Sequence, residues 1–103
     1  RDRFYLKALQ VRTLIIREFK RAFKSYDVLI APTMPIVAPK FSEVKMMSPI
    51  DEYAMDILTV APNLAGLPTL SVPCGKSQGM PVGLHIIGDH LQEGKILQVG
   101  SRV

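Results

Sequence analysis

The feature that most constrains this chain is a change of hydrophobic period near residue 25. Phe4, Ala8, Val11, Ile15, Phe19 and Ala22 recur at gaps of four, three, four, four and three. That is the 3.6-residue period, and it predicts an amphipathic helix over residues 2–24. Beyond it, Asp27-Val28-Leu29-Ile30-Ala31 is a continuous apolar run stopped by Pro32. Such a run suits a short strand buried on both faces, as in a parallel sheet. A helix followed by a buried strand is an α/β rhythm.

The remaining punctuation is supplied by proline and glycine. Pro32, Pro35 and Pro39 keep the next stretch extended, and residues 40–48 carry no clear period and read as a surface loop. Ser48-Pro49-Ile50-Asp51 is a helix start: a hydroxyl cap, a proline at the first helical position and an acid at the positive helix end. That helix is expected to reach about Val60, with Ile50, Ala54, Ile57 and Leu58 on its buried face. A short turn, Asn63-Leu64-Ala65, then ends at Gly66. Thr69–Cys74 and Val82–Ile87 read as strands, joined through Gly75–Gly79 as an antiparallel hairpin. A last helix opens at Asp89 and carries Leu91, Ile96, Leu97 and Val99, weakened by Gly94 and Gly100. The expected fold is therefore α/β: a mixed sheet with one buried strand plus a hairpin, packed with amphipathic helices. No internal repeat or internal domain boundary is seen over residues 1–103.

Charge narrows the functional classes. The net charge of +4 divides into +6 over residues 1–24 (eight Lys/Arg against Asp2 and Glu18) and −2 over residues 25–103 (five against seven). On the helix, Arg3, Lys7, Arg17, Lys20, Arg21 and Lys24 fall opposite the apolar stripe, and a solvated outer face is the expected role. A basic-helix RNA-interaction module is the alternative, but no aromatics interleave the basic residues as a stacking platform requires. Arg12 falls instead near the middle of the apolar face, so its guanidinium must be paired, snorkel out along its stem, or order a site carboxylate. No apolar run approaches the ~18–20 residues of a membrane span. The opening Arg1-Asp2-Arg3 reads as part of something longer, without a signal peptide. The single cysteine, Cys74, excludes an internal disulfide and favours a reducing compartment.

Three apparent sites fail or weaken on inspection. Gly75-Lys76-Ser77 looks like the tail of a phosphate-binding loop, but position 70 is Leu where that motif needs Gly, and a strand follows where it needs a helix. Cys74 and His85 could face each other across the hairpin as a thiol–imidazole pair, but no orienting third group is evident, and a small core cysteine is the simpler role. His90 reads as solvated. No carboxylate pair, metal cluster or glycine-rich cradle is present.

Taken in order, several segments resemble the amidase-signature family. Tyr26-Asp27-Val28-Leu29-Ile30-Ala31-Pro32-Thr33 resembles a buried strand and Pro-Thr corner of those enzymes. Asn63-Leu64-Ala65-Gly66-Leu67-Pro68 with Ser71-Val72-Pro73-Cys74-Gly75 is similar to their late helix–strand junction. Pro81-Val82-Gly83-Leu84 with Ile87-Gly88 is similar to the strand after it. Lys7–Ile15 and Tyr53–Thr59 point, within the family, to the glutaminase subunits of tRNA-dependent amidotransferases.

The resemblance implies a C-terminal portion of an amidase-signature domain, from a cytoplasmic protein. It implies that the parent hydrolyses glutamine, and that the ammonia amidates glutamate mischarged on tRNA(Gln) at a partner subunit. Another amidase-signature amide hydrolase is the alternative parent. Implied partners are the other amidotransferase subunits (B, and C where present), with tRNA reached through the partner and no membrane. ATP and Mg are implied in a partner subunit, with no cofactor in this segment. The family's nucleophilic serine, its relay through a second serine to a lysine, and its Gly-Gly-Ser-Ser run have no counterpart here, so no catalytic residue is assigned and the segment alone is expected to be inactive. One residue carries over: Asp56, in Tyr53-x-x-Asp56-x-x-Thr59, matches an aspartate facing the amino group of bound glutamine. The bland alternative is a structural pair, with Arg12 a candidate partner. An incomplete sheet predicts that the isolated chain self-associates, swaps elements or exposes an apolar patch.

Overall fold

A computed structural model describes residues 2–103. In chain order the elements are α1 (Asp2–Phe23), β1 (Val28–Pro32), α2 (Phe41–Lys45), α3 (Pro49–Ala54), α4 (Ile57–Leu64), β2 (Thr69–Ser77), β3 (Met80–Gly88) and α5 (Glu93–Gly100). The α/β reading holds, and so do the long first helix and the hairpin.

The sheet departs from expectation in its pairing. The order is β1-β3-β2, with both pairings antiparallel. Among the described residues β1 therefore has a single strand neighbour, β3, and within this chain its two faces are covered unequally. Antiparallel register sorts side chains by parity. One face carries Leu29, Ile87 and Thr69 in one row and Ala31, His85 and Ser71 in the next; the other carries Ile30, Ile86 and Leu70. Against the first face, Ile15, Ile16, Phe19 and Phe23 of α1 pack on Ile87, Leu67 and Ala65. The rings of Phe19 and Phe23 stack with centroids 6.5 Å apart. On the second face α5 lies over β2 and β3, enclosing Ile86 completely at 0% exposure. It does not reach β1, and Ile30 is 63% exposed.

Glycine marks where α5 comes close. A Cβ on Gly100 would stand 2.6 Å from Leu70 Cδ2 and 3.3 Å from Val72 Cγ1, so the helix end lies almost directly on the sheet. The last helix starts later than expected, at Glu93. Leu91, assigned to it from sequence, precedes it with a positive φ of 63° and lies in solvent.

Between the strands, three local differences have local causes. Residues 40–48 are not all loop, because Phe41–Lys45 forms a turn of helix in which Val44 N bonds to Lys40 O at 3.1 Å. The helix predicted from Ser48 does begin with a reciprocal cap, Asp51 N to Ser48 Oγ and Ser48 N to Asp51 Oδ2, both 3.2 Å. It then stops at Ala54 instead of reaching Val60. Asp56 sits in the bridge region (φ −92°, ψ 0°), and its carbonyl accepts from Thr59 N and Oγ1. Those local bonds start a second axis, α4. Pro62 does not block that axis but lies inside it, two residues before its end. The apolar face assigned to this region is open: Ile50, Ala54 and Ile57 are all exposed.

Candidate functional site

The two ends of α4 organise the candidate site. At the C-terminal end the last carbonyls of the helix lack intrahelical partners and must be satisfied elsewhere. Gly66, at φ 69°, turns the chain so that Leu67 N reaches Pro62 O and Gly66 N reaches Asn63 O, each at 3.1 Å. This is a Schellman stop, and Gly66 supplies the left-handed residue it requires. Two carbonyls remain, and two side chains from elsewhere in the fold take them. Arg12 Nε of α1 donates to Leu64 O at 2.8 Å. His90 Nε2, from the turn after β3, lies 2.9 Å from Ala65 O.

His90 is in turn held by Asp89, whose carboxylate accepts from His90 N at 2.8 Å and pairs with Lys20 of α1. The Lys20 ammonium bonded to it holds the Asp89 carboxyl below its ordinary range. Both links at the α4 terminus thus lead back, directly or through Asp89, to α1.

At the N-terminal end stands Asp56. Its side chain makes no capping bond to the helix. Its carboxylate has no ion pair or hydrogen bond among those formed by the described residues. It opens on a groove of about 450 Å³ whose walls include Thr59, Asn63, Thr69 and His85. A free carboxylate among hydroxyl and amide groups is suited to an ammonium group.

His85 is the groove's enclosed member, 4% exposed on the central strand between Ala31 and Ser71. Its Nδ1 is buried without a hydrogen-bond partner. Burial pushes its pKa below the ordinary imidazole value, so the ring is neutral at physiological pH. Between this row and the next along the same face, Thr33 Oγ1 and Ser71 Oγ are 2.7 Å apart. They meet over Gly83, where a Cβ would lie 2.6 Å from the serine oxygen. The Pro-Thr corner and the Ser-Val-Pro junction, separate in sequence, are joined by this bond.

The sequence singles out Asp56, places His85 only in a weak pairing with Cys74, and gives Thr33 and Ser71 no role in a site. The signal that could have found them is parity, since residues 69, 71, 85 and 87 share one face once the hairpin register is known. Other candidates resolve differently. Arg12 neither sinks unpaired into the core nor pairs with Asp56, because its bond goes to the opposite end of α4. Cys74 is exposed and not a core residue: the register shifts between Pro73 and Gly75, placing it at a bulge where Sγ contacts Val82 O at 3.6 Å. His85 pairs with Ser71, so no thiol–imidazole pair forms across the hairpin. His90 is half-buried and bonded, not simply solvated. The Gly75-Lys76-Ser77 segment ends the first hairpin strand, and the basic face of α1 is exposed at Arg3, Lys7, Arg17, Lys20 and Arg21, as is Lys24 just beyond the helix. Among the described residues no three His, Cys, Asp or Glu side chains converge as a metal ion requires, and no helix is long and apolar enough to cross a membrane.

The chain belongs to the amidase family, whose family model matches residues 1–97. Within the family it is 54% identical over 97 residues to the A subunit of glutamyl-tRNA(Gln) amidotransferase from Methanococcoides burtonii, covering 94% of this chain and 20% of that protein. The corresponding protein of Archaeoglobus fulgidus is 52% identical over 101 residues, covering 98% and 22%. In three dimensions the chain is similar to the crystal structure of the Thermotoga maritima A subunit, with a TM-score of 0.87 and 40% identity over 94% of this chain and 21% of that one. Kluyveromyces lactis allophanate hydrolase is a more distant match, with a TM-score of 0.79 and 32% identity over 90% and 15%. The chain spans about a fifth of the length of the curated relatives it matches.

Proposed function

We propose that this chain is the C-terminal portion of the amidase-signature domain in a glutaminase subunit of a tRNA-dependent amidotransferase. The whole protein hydrolyses the side-chain amide of glutamine and passes ammonia to a partner subunit, which converts Glu-tRNA(Gln) to Gln-tRNA(Gln). Identities of 52–55% to the A subunits of such amidotransferases over nearly the whole chain carry this reading over another amide hydrolase or an RNA-binding module. The B subunit, and C where present, are its partners; ATP and Mg are used on the partner, tRNA is engaged through it, and the complex is cytoplasmic.

In this reading the serine nucleophile and its lysine relay lie in the rest of the domain, and this segment supplies substrate recognition. Asp56 accepts hydrogen bonds from the α-ammonium of glutamine. The support is its unpaired carboxylate at the mouth of a groove lined by Thr59, Asn63, Thr69 and His85. The ammonium–carboxylate contact holds the substrate before and during reaction alike, so its loss is expected chiefly in KM. In the full-length protein, Asp56→Asn raises the glutamine KM by about tenfold or more, equivalent to about 1.4 kcal/mol. An unchanged KM would sink the assignment.

A further inference from the structure

We infer that Arg12 is a positioning residue for the glutamine site: through the C-terminus of α4 it sets where that helix presents Asp56. This rests on the reading of Asp56 given above. The inference comes from following the backbone partners of α4. A helix of eight residues is too short to be stable by its own hydrogen bonds, and Pro62 within it lacks the N–H that would bond one turn back.

The helix is therefore held by what it touches: within it only Pro62 is buried, Leu58 and Ala61 are half-buried, and Ile57, Val60 and Leu64 are exposed. Its firm attachment is at the C-terminus, where the Schellman turn closes two carbonyls and Arg12 and His90 close the next two. A cationic donor is also the right charge for the negative end of a helix. Beside the apolar packing of α1 on the cluster of Ala65, Leu67 and Ile87, Arg12 makes the direct hydrogen bond from α1 to this end, spanning 52 residues of sequence.

The other end of the same rod is Asp56, about 12 Å away at 1.5 Å per residue. A rod fixed at one end transmits a tilt to the other, and the Asp56 side chain has no capping bond of its own to resist it. This also answers why a guanidinium projects from the apolar face of α1. Its Nε lies over the stripe because that is where the carbonyl is.

The test uses the full-length protein in its complex, with L-glutamine as substrate and ammonia release as the readout. Two replacements of similar length separate the N–H from the bulk. In Arg12→Gln a side-chain amide nitrogen occupies the place of Nε, whereas Arg12→Met fills the space without a donor. Arg12→Met raises the glutamine KM about tenfold with kcat within twofold of wild type, and Arg12→Gln restores KM to within about threefold. In an Asp56→Asn background, Arg12→Met adds little further, because both changes disturb one contact.

An unchanged KM in Arg12→Met, an effect confined to kcat, or a full tenfold increase added on top of Asp56→Asn would each overturn the inference. If Arg12→Met does not fold, Arg12→Lys takes its place, moving the donor one atom outward: it must raise KM while Arg12→Gln does not. Asp56→Asn alone tests the underlying reading. If its KM is normal while Arg12→Met still raises KM, the failure lies with Asp56 and not with the α1–α4 link.

Discussion

At the scale of single residues, the clearest constraints are on positions where a side chain is absent. Gly83 lies beneath the Thr33–Ser71 hydroxyl bond, and an added methyl would sit 2.6 Å from Ser71 Oγ and 3.0 Å from Thr33 Oγ1. Gly83→Ala must break that bond or push two strands apart, and is expected to destabilise the full-length protein by about 1–3 kcal/mol. Gly94 is the counter-case. It is helical, its φ is not left-handed, and nothing lies within 4 Å of where a Cβ would be. Gly94→Ala is expected to stabilise by about 0.5 kcal/mol, chiefly by restricting the unfolded chain. Denaturant midpoints of the two variants should move in opposite directions. A shift of both in the same direction would contradict these roles for the two glycines.

At the scale of elements, the cap of α3 can be separated from the rest. The helix has no buried residue, and its start depends on the reciprocal bonds between Ser48 and Asp51. Ser48→Ala removes a cap worth about 1 kcal/mol. Amide exchange within α3 is expected to quicken about fivefold while the global unfolding midpoint barely moves, since α3 opens locally. Unchanged exchange would show that the cap contributes nothing. That cap was legible because capping is local chemistry written in adjacent residues, as was the glycine stop at Gly66. What was not legible depended on partners distant in sequence. The apolar run of β1 is the same whether the strand is central or at an edge. The end of α3 at Ala54 depends on the bonds that Asp56 and Thr59 make with each other. Arg12 was visible as an anomaly on the α1 stripe, but its partner is a backbone carbonyl, which leaves no trace in side-chain identity. Asp56 stands out through the resemblance, and the placement of His85 beside Ser71 is legible only through the hairpin register.

At the scale of the molecule, the chain is a slab. Its extents are 42 × 40 × 17 Å and its radius of gyration is 16.0 Å, against about 13 Å for a globular chain of this length. Its accessible surface is 8044 Å², where a folded monomer of this mass presents roughly 5,800 Å². The excess is apolar in part: Ile30 on β1, Leu14 on α1, Ile50 on α3 and Ile57 on α4 are all open. We expect the isolated chain to self-associate, and light scattering on a sizing column should show species heavier than 11.4 kDa. A monodisperse monomer with sharp two-state unfolding would contradict this. Asp56 is proposed to recognise the amino group of glutamine, a claim tested by comparing L-glutamine with its analogue lacking that group, 4-carbamoylbutanoate, as substrates of the full-length protein. Wild type should favour glutamine in kcat/KM, and Asp56→Asn should shrink that preference about tenfold or more. A preference that Asp56→Asn leaves unchanged would contradict the claim.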